Sequence, residues 1–143
     1  MSFSRDVKNF TTKTQGRSDK FVRLLVSKLA ESLIQKTPVG DPSRWQTKYV
    51  PIGYVGGTAR ANWQYGNGSI PLSFLEQTDK TGERTLANVI KGVRATDPYA
   101  VHYITNNTPY IQALEDGHSS QAPHGMLKRT VIEFQQIFKA IKA

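Results

Sequence analysis

Apolar residues recur at helical spacing near both ends of this chain, and closer to a period of two between them. Phe21, Val22, Leu25, Val26, Leu29, Leu33 and Ile34 predict a helix from about Asp19 to Gln35. Ser18 stands as its N-cap, and Asp19 lies in the first turn, where the helix dipole favours an anion. The helix must stop near Lys36, because the residue before Pro38 is pushed out of the helical region and Val39-Gly40-Asp41-Pro42 is turn chemistry. Leu127, Val131, Phe134, Phe138 and Ile141 follow steps of four, three, four and three and predict an amphipathic helix from about Gly125 to Ala140, with Phe134 turned into the core.

Between Trp45 and Ile104 the spacing favours strands at Tyr49 to Val55, Thr58 to Gln64, Thr85 to Arg94 and Tyr99 to Thr105. Gly56-Gly57, Gly66-Asn67-Gly68 and Asp97-Pro98 interrupt them, and such short connections give an antiparallel meander. Thr108 as N-cap and Pro109 at the first position open a short helix that Gly117 stops. The expectation is therefore one α+β domain over 18–143, an antiparallel sheet of about four strands packed by an N-terminal and a C-terminal helix.

Two segments fall outside that frame. Residues 1–17 are polar, with only Phe3, Val7 and Phe10 to bury, and read as a flexible basic arm that orders on a partner. The insertion 66–84 carries Ile70, Leu72, Phe74 and Leu75, which a solvated loop has no reason to carry; it reads as mobile in isolation and as a contact with a neighbouring subunit.

Composition narrows the chemistry. A length of 143 residues suits one domain with its own core, and the apolar (38%) and charged (21%) fractions argue against wholesale disorder. The absence of cysteine removes disulfides, thiolate catalysis and cysteine-held zinc, and suits synthesis in a reducing cytoplasm. No apolar run reaches the ~20 residues that cross a bilayer, and MSFSRDVKNF lacks the apolar centre of a signal peptide. The net charge of +8 is concentrated early: residues 1–48 hold ten Lys and Arg against four acids, a balance of +6. Such an excess attracts phosphate or acidic protein surfaces, although charge runs are commonly no more than a solvated face.

The reactive side chains form no pattern that chemistry requires. His102, His118 and His124 with Glu115 and Asp116 are the only metal-ligand candidates, without a His-x-x-x-His spacing. Ser119 or Ser120 with His102 and Asp116 sketches a triad, but no Gly-x-Ser-x-Gly elbow accompanies them. Gly53 to Arg60 is glycine-rich yet lacks Gly-Lys-Ser/Thr and lies in a strand-like region, which favours a tight hairpin or bulge over a phosphate cradle. Trp45, Tyr49, Tyr54, Trp63 and Tyr65 interleave with Arg44, Lys48 and Arg60, a mixture that serves either base stacking or a core edge with an interface. No catalytic residue, metal or cofactor is expected.

Two motifs remain. Thr37-Pro38-Val39-Gly40, followed by a Gly- and Trp-containing segment to Trp63, precedes Asn107-Thr108-Pro109-Tyr110 to Leu114-Glu115-Asp116-Gly117 and Gln121-Ala122-Pro123. In that order they resemble the phage tail-completion, or neck, protein family over roughly residues 20–143. The chain departs from the commoner siphophage form, which reads Thr-Gly-x-Leu-Arg after Thr-Pro-Val, by having Asp41-Pro42-Ser43-Arg44-Trp45. The resemblance implies a structural virion protein made in the host cytoplasm, a subunit that joins the DNA-filled head to the tail. It implies side-by-side copies in a ring around the DNA channel, contacts with head-connector and tail-side proteins, and no enzymatic or membrane role. Ile70, Leu72, Phe74, Leu75, Tyr110, Glu115 and His118 are then interface candidates, and Arg5, Lys8, Lys13 and Arg17 candidates for contact with channel DNA or an acidic partner. The alternatives from other classes are a basic nucleic-acid-binding module and a small hydrolase of unassigned substrate.

Overall fold

The computed structural model describes residues 3–41 and 55–142. The elements in chain order are α1 (Phe3–Lys36), α2 (Thr58–Ala61), β1 (Trp63–Asn67), α3 (Glu83–Ala95), β2 (His102–Asn106), α4 (Ile111–Glu115) and α5 (Leu127–Lys142). The mixed class is as expected, but among the described residues the sheet has two antiparallel strands rather than about four, with Trp63 opposite Asn106 and Asn67 opposite His102.

Each missing strand has its own reason. Thr85 to Arg94 is helix, because Thr85, Val89 and Val93 repeat every four residues and are the three positions of α3 that are buried. Thr58 to Gln64 opens as a helical turn and becomes strand only at Trp63. The strand expected at Tyr99 starts later, at His102. The one expected at Tyr49 to Val55 lies, except for Val55, outside the described residues, as do Arg44, Trp45, Lys48, Tyr49 and Tyr54.

α1 also begins earlier than the apolar pattern suggested. The segment expected as a flexible arm is helical from Phe3, and runs without interruption into the apolar stretch. It contains no proline, and Arg5, Lys8, Lys13, Gln15 and Arg17 favour a helix, while its Ser, Asp, Asn and Thr residues favour it less and Gly16 is the weakest former in it. Its described side chains from Ser4 to Ser18 are exposed.

The core lies where α1, α3 and β1 meet. Val26, Ala30, Leu33 and Ile34 of α1 close over Val89 and Val93 of α3, Trp63 of β1, and Ala122 and Met126 from the approach to α5. α5 packs along α1 but buries only Thr130, whose hydroxyl hydrogen-bonds Ser32 at 2.9 Å. Leu127, Val131 and Phe134 stay 52, 63 and 38% exposed, so the full burial expected of Phe134 is not met. The predicted stripe is real, but it is centred to one side of the line that meets α1.

The insertion forms a strap laid over the outer face of the sheet. Gln64 and Thr105 share that face, and Gln64 Nε2 donates to Ser73 O at 2.7 Å. Asn107 Nδ2 donates to the carbonyls of Pro71 and Ser73. Asn62 acts as a substitute peptide for Leu75: its Oδ1 accepts from Leu75 N at 2.7 Å and its Nδ2 donates to Leu75 O at 3.0 Å. Asp79 ends the strap by accepting from Gly82 N, Thr85 N and Thr85 Oγ1, which closes the N-terminus of α3.

Candidate functional site

The two motifs meet at the end of α1. Thr37 Oγ1 donates to Leu33 O at 2.7 Å and accepts the indole N–H of Trp63 at 2.7 Å, both groups being buried. Thr37 O in turn accepts from Arg60 Nη2 at 2.7 Å and Nε at 3.1 Å, while Arg60 Nη1 reaches Lys80 O at 2.6 Å. Arg60 thus fastens the end of α1 to the strap. Burial pulls its guanidinium below the ordinary value, and the nearby Asp79 carboxylate partly opposes that shift. On the other side Gln121 holds Val39 as Asn62 holds Leu75: Oε1 accepts from Val39 N at 3.1 Å and Nε2 donates to Val39 O at 2.8 Å.

The later motif is a closed knot. Glu115, at the end of α4, accepts from the backbone N–H groups of Met126, Leu127 and Lys128 at 3.0, 2.8 and 3.2 Å, so a carboxylate sits at the N-terminus of α5, where the dipole favours it. Gly125 must approach to let it do so. At φ +81° it is in the left-handed region, and a Cβ there would fall on Glu115 O and Oε2. Gly117 stops α4 as expected, at φ +88°. Thr108 is not the N-cap: Tyr110 takes that position, and the buried Thr108 Oγ1 has no hydrogen-bond partner among the described residues.

A cleft of about 380 Å³ opens where Pro38–Gly40, Gly57–Thr58 and His118–Gln121 come together, with Tyr110 and Leu114 on its wall. His118 and Ser120 are exposed in it, and Ser119 Oγ accepts from Gln121 N. His102 is not part of this group. Its Nε2 faces Pro98 O at 2.7 Å, and a carbonyl can only accept, so Nε2 carries the hydrogen. Nδ1 faces the Tyr65 hydroxyl at 2.7 Å, which in turn accepts from Asn67 Nδ2. Both ring nitrogens are therefore engaged, by Pro98 O and the Tyr65 hydroxyl, His102 does not line the cleft, and the sketched triad is not assembled. No cluster of three metal-ligating side chains occurs among the described residues.

The other candidates separate by role. Ile70, Leu72 and Phe74 are 52, 85 and 44% exposed, alternate along the strap and form one displayed row. Leu75 is half-buried and tied to Asn62. Glu115 is spent on the α5 cap, while Tyr110 and His118 remain at the cleft. Arg5, Lys8, Lys13 and Arg17 are exposed on the first turns of α1. Trp63 is buried and Tyr65 is hydrogen-bonded beneath the sheet, so neither offers a bare ring for a base to stack on. The sequence drew attention to Arg60 as a basic neighbour of aromatics and to Gln121 as part of a motif, but not to the clamps that they and Asn62 make; each joins segments that only the fold brings together.

No helix among the described residues is long and apolar enough to cross a membrane. Neither a protein-family model, nor a curated protein, nor a solved structure matches the chain.

Proposed function

We propose that this protein is a structural virion component of a tailed bacteriophage, a ring-forming neck or tail-completion subunit that joins the DNA-filled head to the tail around the DNA channel. The observation that carries the reading is the row Ile70, Leu72 and Phe74. These side chains are exposed on a strap whose backbone is bonded to Gln64, Asn107 and Asn62, so the apolar surface is fixed in place and wet. Held apolar rows of this kind mark contact surfaces. The motif residues that resemble the neck family act in turns, caps and clamps, which suits a part whose work is to keep its shape. Its partners are then further copies of itself, a head-side and a tail-side protein, and the DNA that passes through the lumen.

The test is assembly. Negative-stain images of the purified protein should show annular particles, and the protein should restore joining when added to filled heads and tails that lack it. Leu72→Asp should remove both while leaving the circular dichroism spectrum unchanged. A protein that remains a single chain at every concentration and with heads present would overturn the proposal.

A second reading, a basic nucleic-acid-binding module, is favoured by one observation: Arg5, Lys8, Lys13 and Arg17 are exposed on one helical segment. Binding of that kind weakens steeply as salt rises, because it releases counterions from phosphate. A titration with duplex DNA at two salt concentrations separates it from an apolar subunit contact.

A further inference from the structure

Gln121, whose side chain closes on Val39, lines a second cleft as well as the first. This one opens to about 450 Å³, within the ~300–1,000 Å³ of ligand clefts. Its basic side chains come from separate parts of the fold. Lys36 is the last residue of α1, Arg60 belongs to α2, His124 to the turn before α5, and Arg129 to α5 itself. No Asp or Glu is among the residues that line it.

Charge in a cleft attracts a ligand only where it is not already matched. Arg60 is fixed by neutral groups, the carbonyls of Gln35, Thr37 and Lys80, which take most of its N–H donors and leave one Nη1 hydrogen over. The Asp79 carboxylate that acts on it is itself spent on Gly82 and Thr85. Lys36 and Arg129 share a single carboxylate: Lys36 Nζ lies 2.8 Å from Glu133 Oε2, and Arg129 Nη2 lies 3.7 Å from Glu133 Oε1. The Lys36 hydrogen bond and both positive charges hold that carboxyl below its ordinary value. Two cations on one anion leave one positive charge over, and Arg60 adds another. His124 is exposed beside them.

A phosphate group carries about −1.5 to −2 at pH 7 and presents several acceptor oxygens at once. Guanidinium and ammonium groups are the donors that match it in charge and in hydrogen bonding. We propose that this cleft binds a phosphate group, held by Arg129, Lys36 and the remaining donor of Arg60, with the His124 imidazole as a further donor. The shared chemistry is a set of phosphate oxygens, whether of a free phosphate compound or of a nucleic-acid backbone. The site goes beyond the proposed function and requires neither a ring nor a place in the virion.

The test is isothermal titration of the full-length protein with pyrophosphate, against sodium chloride at matched ionic strength. The parent should bind about one pyrophosphate per chain and melt at a higher temperature in its presence, because a ligand of the folded state alone stabilises it. Arg129→Gln should weaken binding about tenfold, the effect of one charge-assisted hydrogen bond. Lys128→Gln removes the same charge one residue away and outside the cleft, and should leave binding unchanged. His124→Ala, at an exposed position, should weaken binding about two- to threefold, and circular dichroism of all three should match the parent. A short duplex DNA then separates the sources. Competition by pyrophosphate, with weaker DNA binding in Arg129→Gln but not in Lys128→Gln, assigns the site to a nucleic-acid backbone; DNA binding that neither variant alters assigns it to a free phosphate compound. No binding above the chloride control would overturn the site, as would equal losses in Arg129→Gln and Lys128→Gln, or full binding in both Arg129→Gln and His124→Ala. Oligomeric state is read separately, so a single chain that binds pyrophosphate keeps the site and loses the ring, and a ring that binds none does the reverse.

Discussion

The indole N–H of Trp63 and the hydroxyl of Thr37 meet at 2.7 Å inside the protein, 26 residues apart in the chain, and the same hydroxyl donates to Leu33 O. One oxygen thus ends α1 and fixes the first residue of β1. Thr37→Val keeps the shape but leaves a buried indole N–H unpaired, which costs ~1–3 kcal/mol. In Trp63→Phe, where no N–H remains, the added Thr37→Val should cost measurably less. Urea unfolding of the four proteins gives the coupling, and strictly additive losses would show that the bond contributes nothing.

Glu115 and Gly125 form the second such pair. Removing the carboxylate with Glu115→Ala uncaps α5 and should cost about 0.5–2 kcal/mol, the usual range for a lost N-cap. Gly125→Ala forces a side chain into the left-handed region against Glu115, and should cost ~1–3 kcal/mol. Thermal melts check both, and a Gly125→Ala protein as stable as the parent would refute the close approach.

Asp79 makes stability depend on pH at the acid end. Burial by itself would raise its carboxyl, but the hydrogen bonds from Thr85 and Gly82, with the Arg84 charge nearby, hold it below its ordinary value on balance. A carboxyl lowered in the folded state stabilises above its unfolded pKa, and that contribution fades as pH falls through the folded pKa. Asp79→Ala should therefore be less stable than the parent at pH 7, and the gap should narrow below pH ~4, where an unfolded Asp begins to protonate. A constant gap from pH 7 to pH 2.5 would exclude the ionised cap as its source.

Burial separates two large apolar positions that the sequence treats alike. Ile34 is fully buried, and Ile34→Ala should cost ~2–5 kcal/mol. Phe134 is 38% exposed, so Phe134→Ala should fall below the ~3–5 kcal/mol of a fully buried Phe. Leu72→Asp, at 85% exposure, should stay within about 0.5 kcal/mol of the parent. Denaturant unfolding ranks the three, and a Leu72→Asp loss above that of Phe134→Ala would contradict the displayed row.

The sequence told most where one local signal acted alone. The apolar face from Phe21 to Ile34, the stop before Pro38 and the Gly117 terminator are visible to a reader who knows only helix periodicity and turn chemistry. α3 was misread because its Thr and Val residues favour strands by shape, while their spacing of four, which the fold obeys, was the weaker cue in so short a run. The first turns of α1 were misread because low hydrophobicity argues against burial and not against helix. The cleft was out of reach for a different reason. Gln121 and Val39 are 82 residues apart, and no local pattern announces that an amide side chain will complete a distant backbone.

α1 has a mechanical consequence. Its 34 residues make a rod about 51 Å long at ~1.5 Å per residue, uninterrupted by proline, with its C-terminal carbonyls gripped by Arg60. Gly16, with no neighbour within 4 Å of the place its Cβ would occupy, is where that rod yields first, since glycine in a helix costs ~0.5–1 kcal/mol relative to alanine. A bend there would swing the first turns of α1 while leaving in place the buried core contacts, which begin at Val26.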